Sequence, residues 1–143
     1  MILLVRSYDS QGTPLPLKKG PRLPEWCGEG DSTRGAYAGY PGKVYAKVLK
    51  EVWTQKSPTG AYWNPVTVVK DNRLAAYEKD KVRFSFSLEG KSPDGQKSGE
   101  KEEKSKQGKV EIRLILRRAF YDLMQRKEWD APDMVMKERT IPF

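Results

Sequence analysis

The sequence predicts a mainly β protein, an antiparallel β-sandwich of the immunoglobulin-like or Greek-key kind, with one C-terminal α-helix. Three observations favour this fold. Short stretches of alternating apolar and polar residues recur along the chain, as in strands that bury one face. Turn-forming Gly, Pro, Asp and Asn residues separate these stretches. The last stretch then changes to helical spacing.

The predicted strands number about five, and the chain length suits a single domain over residues 1–143. Residues 13–24 contain four prolines and predict an extended surface crossing, because proline cannot donate to a strand ladder. Residues 25–40 predict a glycine-rich loop pinned by aromatic side chains. The predicted strands cover residues 1–8, 42–52, 63–70, 81–88 and 110–117.

The last predicted strand runs directly into the helix. Its predicted inward-facing residues are Val110, Ile112, Leu114 and Leu116. The same alternation places Ile115 on the wet face. After Arg118 the apolar positions include Phe120 and Leu123 at helical spacing, so we expect the helix to fold back over the sheet.

Two further segments are predicted to lack regular packing. Residues 89–109 consist almost entirely of Gly, Ser, Lys, Glu and Gln, which predicts a flexible polar hairpin insertion between two strands. Residues 130–143 contain two prolines and a charged run, which predicts a C-terminal tail lying along the surface as coil. The abrupt apolar start at Met1 predicts that a strand preceding it is supplied by other sequence.

The composition bounds the chemistry of the chain. Its 143 residues include 27 Lys plus Arg and 19 Asp plus Glu, for a formal charge of +8. The chain has no histidine, so it lacks the usual general base and the usual zinc, copper or axial haem ligand. Cys27 is its single cysteine and has no partner for an internal disulfide. We therefore expect a non-enzymatic protein that binds no cofactor of its own.

Two polar groups are candidate sites. Carboxylates at Glu25, Glu29 and Asp31 supply the oxygen ligands that calcium prefers, but a solvated acidic loop is the favoured interpretation. Asp71, Asn72 and Arg73 follow a predicted strand. Because Asp and Asn cap turns through the backbone and Arg bridges carbonyls or carboxylates, we expect a structural rather than a catalytic role for these three.

Basic and aromatic side chains supply candidate interface residues. One basic group comprises Arg117, Arg118, Arg126 and Lys127. Another comprises Lys43, Lys47 and Lys50 on the outward face of their strand. Such groups suit an acidic partner or haem propionates, or form an ordinary wet surface. The aromatic candidates, some expected in the core and some at an interface, are Tyr37, Tyr40, Trp53, Tyr62 and Trp63.

Three segments in this order resemble a known family. They are GKVYAKVL over residues 42–49, VKDNRL over residues 69–74 with Glu78, and LRRAFYDLM over residues 116–124 with Lys127 and Trp129. Together with the YDSQG turn over residues 8–12, they are similar to the haem-free β-sandwich domain at the C-terminus of secreted multihaem c-type cytochromes. The chain contains no Cys-x-x-Cys-His haem-attachment motif.

The resemblance implies an accessory or scaffolding role in extracytoplasmic electron transfer. The haem would then lie on a partner chain or on a missing part of the polypeptide, and the partner would be a multihaem c-type cytochrome or another copy of the assembly. The implied location is periplasmic or extracellular, and no apolar stretch is long enough to span a membrane. A stand-alone module that binds carbohydrate or nucleic acid remains the alternative. Nucleic acid is the less expected ligand, because acids interrupt the basic residues.

Overall fold

The computed structural model describes residues 1–88, 107–129 and 131–143. Within them the chain is mainly β, with antiparallel sheets and one short helix, as the alternating patterns predict. The sheets do not close on one another. Most of the predicted polar insertion, residues 89–106, lies outside the described residues, whereas Gly108 and Lys109 begin a strand.

The described elements follow one another in short segments. The strands are β1 (Ile2–Asp9), β2 (Leu17–Lys19), β3 (Gly42–Val44), β4 (Lys47–Glu51), β5 (Val66–Asp71), β6 (Ser85–Phe86), β7 (Gly108–Leu116) and β8 (Met134–Pro142). The α-helix is α1 (Tyr121–Arg126), and two 3₁₀ helices cover Glu25–Cys27 and Ser32–Arg34. The largest sheet has the order β3-β1-β7-β8, and β2-β6 and β4-β5 form two-stranded sheets.

Strand β1 lies at the centre of the four-stranded sheet. It pairs with β7 along its whole length, from Ile2 opposite Ile115 to Asp9 opposite Gly108. Its other edge pairs with β3 only as far as Leu4. Beyond Leu4 this edge bonds to the loop backbone instead, since Val5 N donates to Pro41 O at 2.9 Å. Both edges of β1 are therefore occupied.

The core lies between one face of this sheet and the loop over residues 21–41. Its buried members are Ile2, Leu4, Leu23, Cys27, Val44 and Ile115. Trp26, Tyr37 and Tyr40 pack against this cluster from the loop. Full burial of a single aliphatic side chain such as Ile115 contributes about 1.5–3 kcal/mol. The aromatic residues thus fix an otherwise irregular loop onto the sheet.

The predicted inward face of the last strand is wrong at its end. Ile115 is 1% exposed, whereas Leu116 is 39% exposed. Ile115 lies opposite Ile2, and paired residues in antiparallel strands share a face, so the core draws in Ile115. The pairing between β7 and β8 also shifts register between Leu114 and Ile115.

Two predicted strands are shorter than their patterns indicate. The single strand predicted over residues 42–52 is wrong, because β3 and β4 belong to different sheets and separate at Tyr45 and Ala46. The strand predicted over residues 81–88 is limited to Ser85–Phe86. Its partner β2 lies in the proline-rich crossing, where no strand was predicted. Alternation of apolar and polar residues does not show whether a neighbouring strand is available for pairing.

The prediction of a coiled tail over residues 130–143 is wrong, because β8 occupies Met134–Pro142. β8 pairs antiparallel with β7, from Leu116 opposite Met134 to Lys109 opposite Pro142. The charged run that suggested coil lies on this edge strand, where Arg113 Nε donates to Glu138 Oε1 at 2.6 Å. Charged residues are common on edge strands because they discourage unwanted pairing.

Among the described residues, no helix has the length and apolar character needed to cross a membrane.

Candidate binding groove

A hollow of about 730 Å³ lies between the β4–β5 loop and helix α1, and we call it the aromatic groove. The loop supplies Tyr62 and Trp63, and the first 3₁₀ helix supplies Trp26. The helix side supplies Phe120, Leu123 and Trp129. Five aromatic rings from three separate segments therefore line one depression.

A buried carboxylate shapes the loop side of the aromatic groove. Glu51, at the end of β4, is 6% exposed. It accepts hydrogen bonds from Asn64 Nδ2 at 2.5 Å and from Thr54 Oγ1 at 2.9 Å. Thr59 N also donates to Leu49 O at 3.0 Å, which ties the loop back to its strand. Because these bonds cross the loop, its aromatic side chains are presented on an ordered backbone.

Close packing joins the helix side to the rest of the protein. Trp26 and Phe120 meet edge to face, with ring centroids 5.5 Å apart. A Cβ atom at Gly60 would lie 3.5 Å from Leu123 Cδ2, so the loop passes close to the helix there. Trp129 N donates to Met124 O at 2.9 Å immediately after the helix. These contacts order the helix side of the groove and place it beside the loop.

Large aromatic surfaces at the aromatic groove face solvent. Tyr62 is 81% exposed, Trp63 is 73% exposed and Trp129 is 58% exposed. Tyr62 and Trp63 also contact each other, with ring centroids 5.2 Å apart. Exposed apolar surface gathered in one place, rather than scattered singly, is typical of interaction sites. Tyr and Trp are also the residues most enriched at interface centres.

The rim of the aromatic groove carries charges of both signs. Lys56, Arg126 and Lys127 line it together with Asp122, and Arg126 and Lys127 are exposed. A mixed rim around an apolar centre suits reversible binding, because the rim stays hydrated while the centre is desolvated. The arrangement offers apolar aromatic surface surrounded by charged side chains.

Arg117 lies inside the protein, which corrects the prediction that it joins Arg118 on an exposed basic face. The Arg117 side chain is 7% exposed and its partner Asp133 is 13% exposed. Arg117 Nε donates to Asp133 Oδ1 at 2.9 Å, and Nη2 donates to Asp133 Oδ2 at 2.7 Å. Nη1 donates to Cys27 O at 2.8 Å, and Nη2 also donates to Gly35 O. Arg118 is exposed as expected.

The surroundings of Arg117 complete a buried clasp that joins β7, the loop and the segment before β8. Its guanidinium carbon lies 5.2 Å from the ring centroid of Tyr37 and 5.6 Å from that of Tyr121. Burial alone would lower the pKa of Arg117, but the bonds to Asp133 and its charge raise the pKa above the ordinary value. A buried cation that is paired and makes four hydrogen bonds in this way is structural.

Cys27 is fully buried beside this clasp. Burial raises the pKa of the Cys27 thiol to about 11, although the nearby Arg117 charge acts in the opposite direction. A thiol that stays protonated at neutral pH is a poor nucleophile and a poor metal ligand. Cys27 therefore serves as a small apolar side chain in the core.

The calcium candidates occupy the two 3₁₀ helices and the turn between them. Glu25 begins the first 3₁₀ helix, and Asp31 caps the second by accepting from Thr33 N at 2.8 Å. Hydrogen bonding to the Thr33 side chain, followed by the bond from Thr33 N, lowers the pKa of Asp31. In the portion of the chain that the structure describes, no three His, Cys, Asp or Glu side chains gather as a metal site would require. Calcium binding by Glu25, Glu29 and Asp31 stays a prediction.

Asp71, Asn72 and Arg73 all make hydrogen bonds within the protein. Asn72 Nδ2 donates to Val44 O at 2.6 Å and its Oδ1 accepts from Ala46 N at 3.1 Å, across the break between β3 and β4. Arg73 forms a two-pronged contact with Asp71, with Nε to Oδ1 at 2.9 Å and Nη2 to Oδ2 at 2.7 Å. This bonding lowers the pKa of Asp71 to about 2. Such contacts are what a structural role requires.

The lysines of the second predicted basic group do not form one patch. Lys43 Nζ donates to Asp80 Oδ2 at 2.7 Å, and the same oxygen accepts from the Tyr45 hydroxyl at 2.7 Å. Burial, followed by the contact with Asp80, raises the pKa of Tyr45 to about 12. Lys47 is exposed and Lys50 is half-buried, both on β4 in a different sheet.

The predicted aromatic candidates divide into two groups. Tyr37 and Tyr40 are half-buried against the core, so they are packing residues of the loop. Trp53 is 71% exposed but lies outside the lining of the aromatic groove, whereas Tyr62 and Trp63 line it. Sequence reasoning did not assign Trp26, Phe120 and Trp129 to a site, and only their aromatic character singles them out.

The fold places this chain among mainly β proteins with antiparallel sheets. No protein-family model, no curated protein and no solved structure matches it.

Proposed function

We propose that this chain is a non-enzymatic binding module that docks onto a protein partner through the aromatic groove. One observation supports this most strongly. Tyr62, Trp63 and Trp129 expose aromatic surface around a hollow whose walls are held by internal contacts. Preorganised aromatic surface binds well, because little side-chain entropy is lost on association.

The proposed setting is the one implied by the family resemblance. We propose an accessory domain of the β-sandwich type that scaffolds a multihaem c-type cytochrome outside the cytoplasm, with haem held by the partner. Supporting this, the chain lacks histidine and any Cys-x-x-Cys-His motif, so docking rather than electron carriage suits its residues. A second copy of the same assembly is the other partner in this proposal.

The experiment is purification of the tagged chain from its native host under gentle conditions. We expect a haem protein to co-elute and to give Soret absorbance in proportion to the tagged chain. The isolated chain should show no such absorbance. Co-elution that persists unchanged in a Trp63→Ala, Trp129→Ala double variant would contradict docking through the aromatic groove. Absence of any haem protein would contradict the cytochrome setting.

Carbohydrate is a second candidate ligand for the same groove. Aromatic faces beside a mixed polar rim that includes Asp122 and Lys56 are the observation that favours it. Titration with soluble polysaccharides, followed by the fluorescence of the groove tryptophans, separates the two. A saturable change lost in Trp63→Ala and kept in Trp53→Ala would favour sugar binding over protein docking.

A further inference from the structure

A second cavity, of about 590 Å³, is built around two arginines, and we call it the arginine cavity. Arg6 from β1 and Arg22 from the proline-rich crossing line it. Its walls also contain the rings of Tyr8, Tyr40 and Phe86. No Asp or Glu is present among the lining residues. The cavity is separate from the aromatic groove, with which it shares no lining residue.

One side-chain nitrogen of the half-buried Arg6 lacks a hydrogen-bond partner among the described residues. Its Nε atom is buried and has no hydrogen-bond partner in the described part of the chain. The facing residue on β7 is Glu111, but that carboxylate is held by Lys109 Nζ at 2.8 Å. The guanidinium of Arg6 instead stacks over Tyr40, with its central carbon 4.9 Å from the ring centroid.

Arg22 stands at the exposed side of the same cavity. Its Nη1 donates to Gly39 O at 2.8 Å, which fixes the side chain while leaving its charge unpaired by any described carboxylate. Two positive charges therefore share one concavity that no described carboxylate lines. Electrostatic focusing in a concave site raises the local concentration of anions.

We propose that the arginine cavity binds an oxyanion, a carboxylate or a phosphate, that is attached to a planar apolar body. The terminal N–H groups of a stacked guanidinium can still make a two-pronged contact with an oxyanion. The aromatic rings and the nearby Pro14, Pro16 and Pro41 offer flat apolar surfaces for the rest of the ligand. The ligand would provide the negative charge that the cavity lacks.

The test is an NMR titration of the ¹⁵N-labelled chain with benzoate, phenyl phosphate, inorganic phosphate and the neutral isostere benzamide. We expect benzoate or phenyl phosphate to bind with Kd near ~1 mM and to shift signals around Tyr40. Tighter benzoate binding assigns a carboxylate, and tighter phenyl phosphate binding assigns a phosphate. The tighter of the two should bind about tenfold more tightly than inorganic phosphate and benzamide.

The variants are Arg6→Gln and the matched control Arg139→Gln, which changes an exposed arginine of β8. Arg6→Gln should weaken binding by about tenfold or more, and Arg139→Gln should leave it unchanged. If Arg6→Gln does not fold, Arg22→Gln replaces it with the same expectation. Equal binding of benzamide, equal loss in both variants, or no shift with any anion at ~10 mM would overturn the proposal.

Discussion

At the scale of single residues, the clearest feature is that two polar side chains, Arg117 and Asn72, connect separate segments through hydrogen bonds. Arg117 joins three segments through one guanidinium, and Asn72 bridges the two strands on either side of a break. The sequence predicts a structural role for Asn72, but it does not reveal the bonding partners of Asn72 or Arg117. Arg117 is buried together with its ion-pair partner Asp133, which lies just before β8.

Replacing Arg117 with methionine should destabilise the protein by about 3–5 kcal/mol, because Asp133 would be left as a buried unpaired charge. The matched Arg118→Met change, at an exposed neighbour, should stay within about 0.5 kcal/mol. Urea unfolding followed by tryptophan fluorescence measures both. Equal, small effects of the two substitutions would show that the clasp is not a stabilising contact.

Cys27 should resist alkylation in the folded protein. Its pKa of about 11 keeps the thiol protonated and burial keeps reagents out, whereas an unfolded thiol ionises near ~8.5. Iodoacetamide labelling at pH 9, followed by mass spectrometry, should be slow without urea and fast with it. A native labelling rate that rises to its plateau near pH 8.5 would contradict the burial of this thiol.

The raised pKa of the Cys27 thiol also makes the free energy of unfolding depend on pH. A thiol pKa raised on folding favours the folded state below the unfolded value near ~8.5, and this contribution is lost as the pH rises toward about 11. Tyr45, with a pKa raised to about 12, extends the loss to higher pH. Unfolding free energy measured across this range should therefore decline.

At the scale of elements, the alternating patterns predicted the central strands of the sheet better than its edge strands. β1 and β7 have long apolar alternation and pair with each other over eight residues. β8 was missed because its central Lys137-Glu138-Arg139 run suggests coil, while the apolar residues on either side make it a strand. Residues 134–142 form a strand because they pair with β7, and a local sequence pattern does not show such a distant contact.

Helix α1 depends on a glycine in the loop that faces it. Gly28 has φ +97°, and a Cβ atom there would overlap the ring of Tyr121. Gly30 also has positive φ, at +119°, but open space around it. An alanine at either glycine would strain the backbone, but only an alanine at Gly28 would also overlap a side chain.

Gly28→Ala should therefore cost about 1–3 kcal/mol more than Gly30→Ala, because Tyr121 must move as well as the backbone. Thermal unfolding monitored by circular dichroism gives the comparison. If the two substitutions are equally costly, the contact between Gly28 and Tyr121 does not position the helix.

At the scale of the whole molecule, the aromatic groove exists because three distant segments meet. The sequence indicated that Trp63 and Tyr62 are interface candidates, but the contribution of Trp26, Phe120 and Trp129 arises only when α1 packs beside the β4–β5 loop. Similarly, the arginine cavity requires β1 and the proline-rich crossing to be adjacent. Single-sequence patterns do not encode such adjacency.

The central claim is that the aromatic groove is the surface by which this chain binds its partner. The most direct measurement compares the partner affinity of Trp63→Ala with that of Trp53→Ala, since both tryptophans are similarly exposed but only Trp63 lines the groove. With the haem protein from the native co-purification, calorimetry should show Kd weakened by about tenfold or more for Trp63→Ala and unchanged for Trp53→Ala. Unchanged affinity in Trp63→Ala, or equal weakening in both, would contradict the claim.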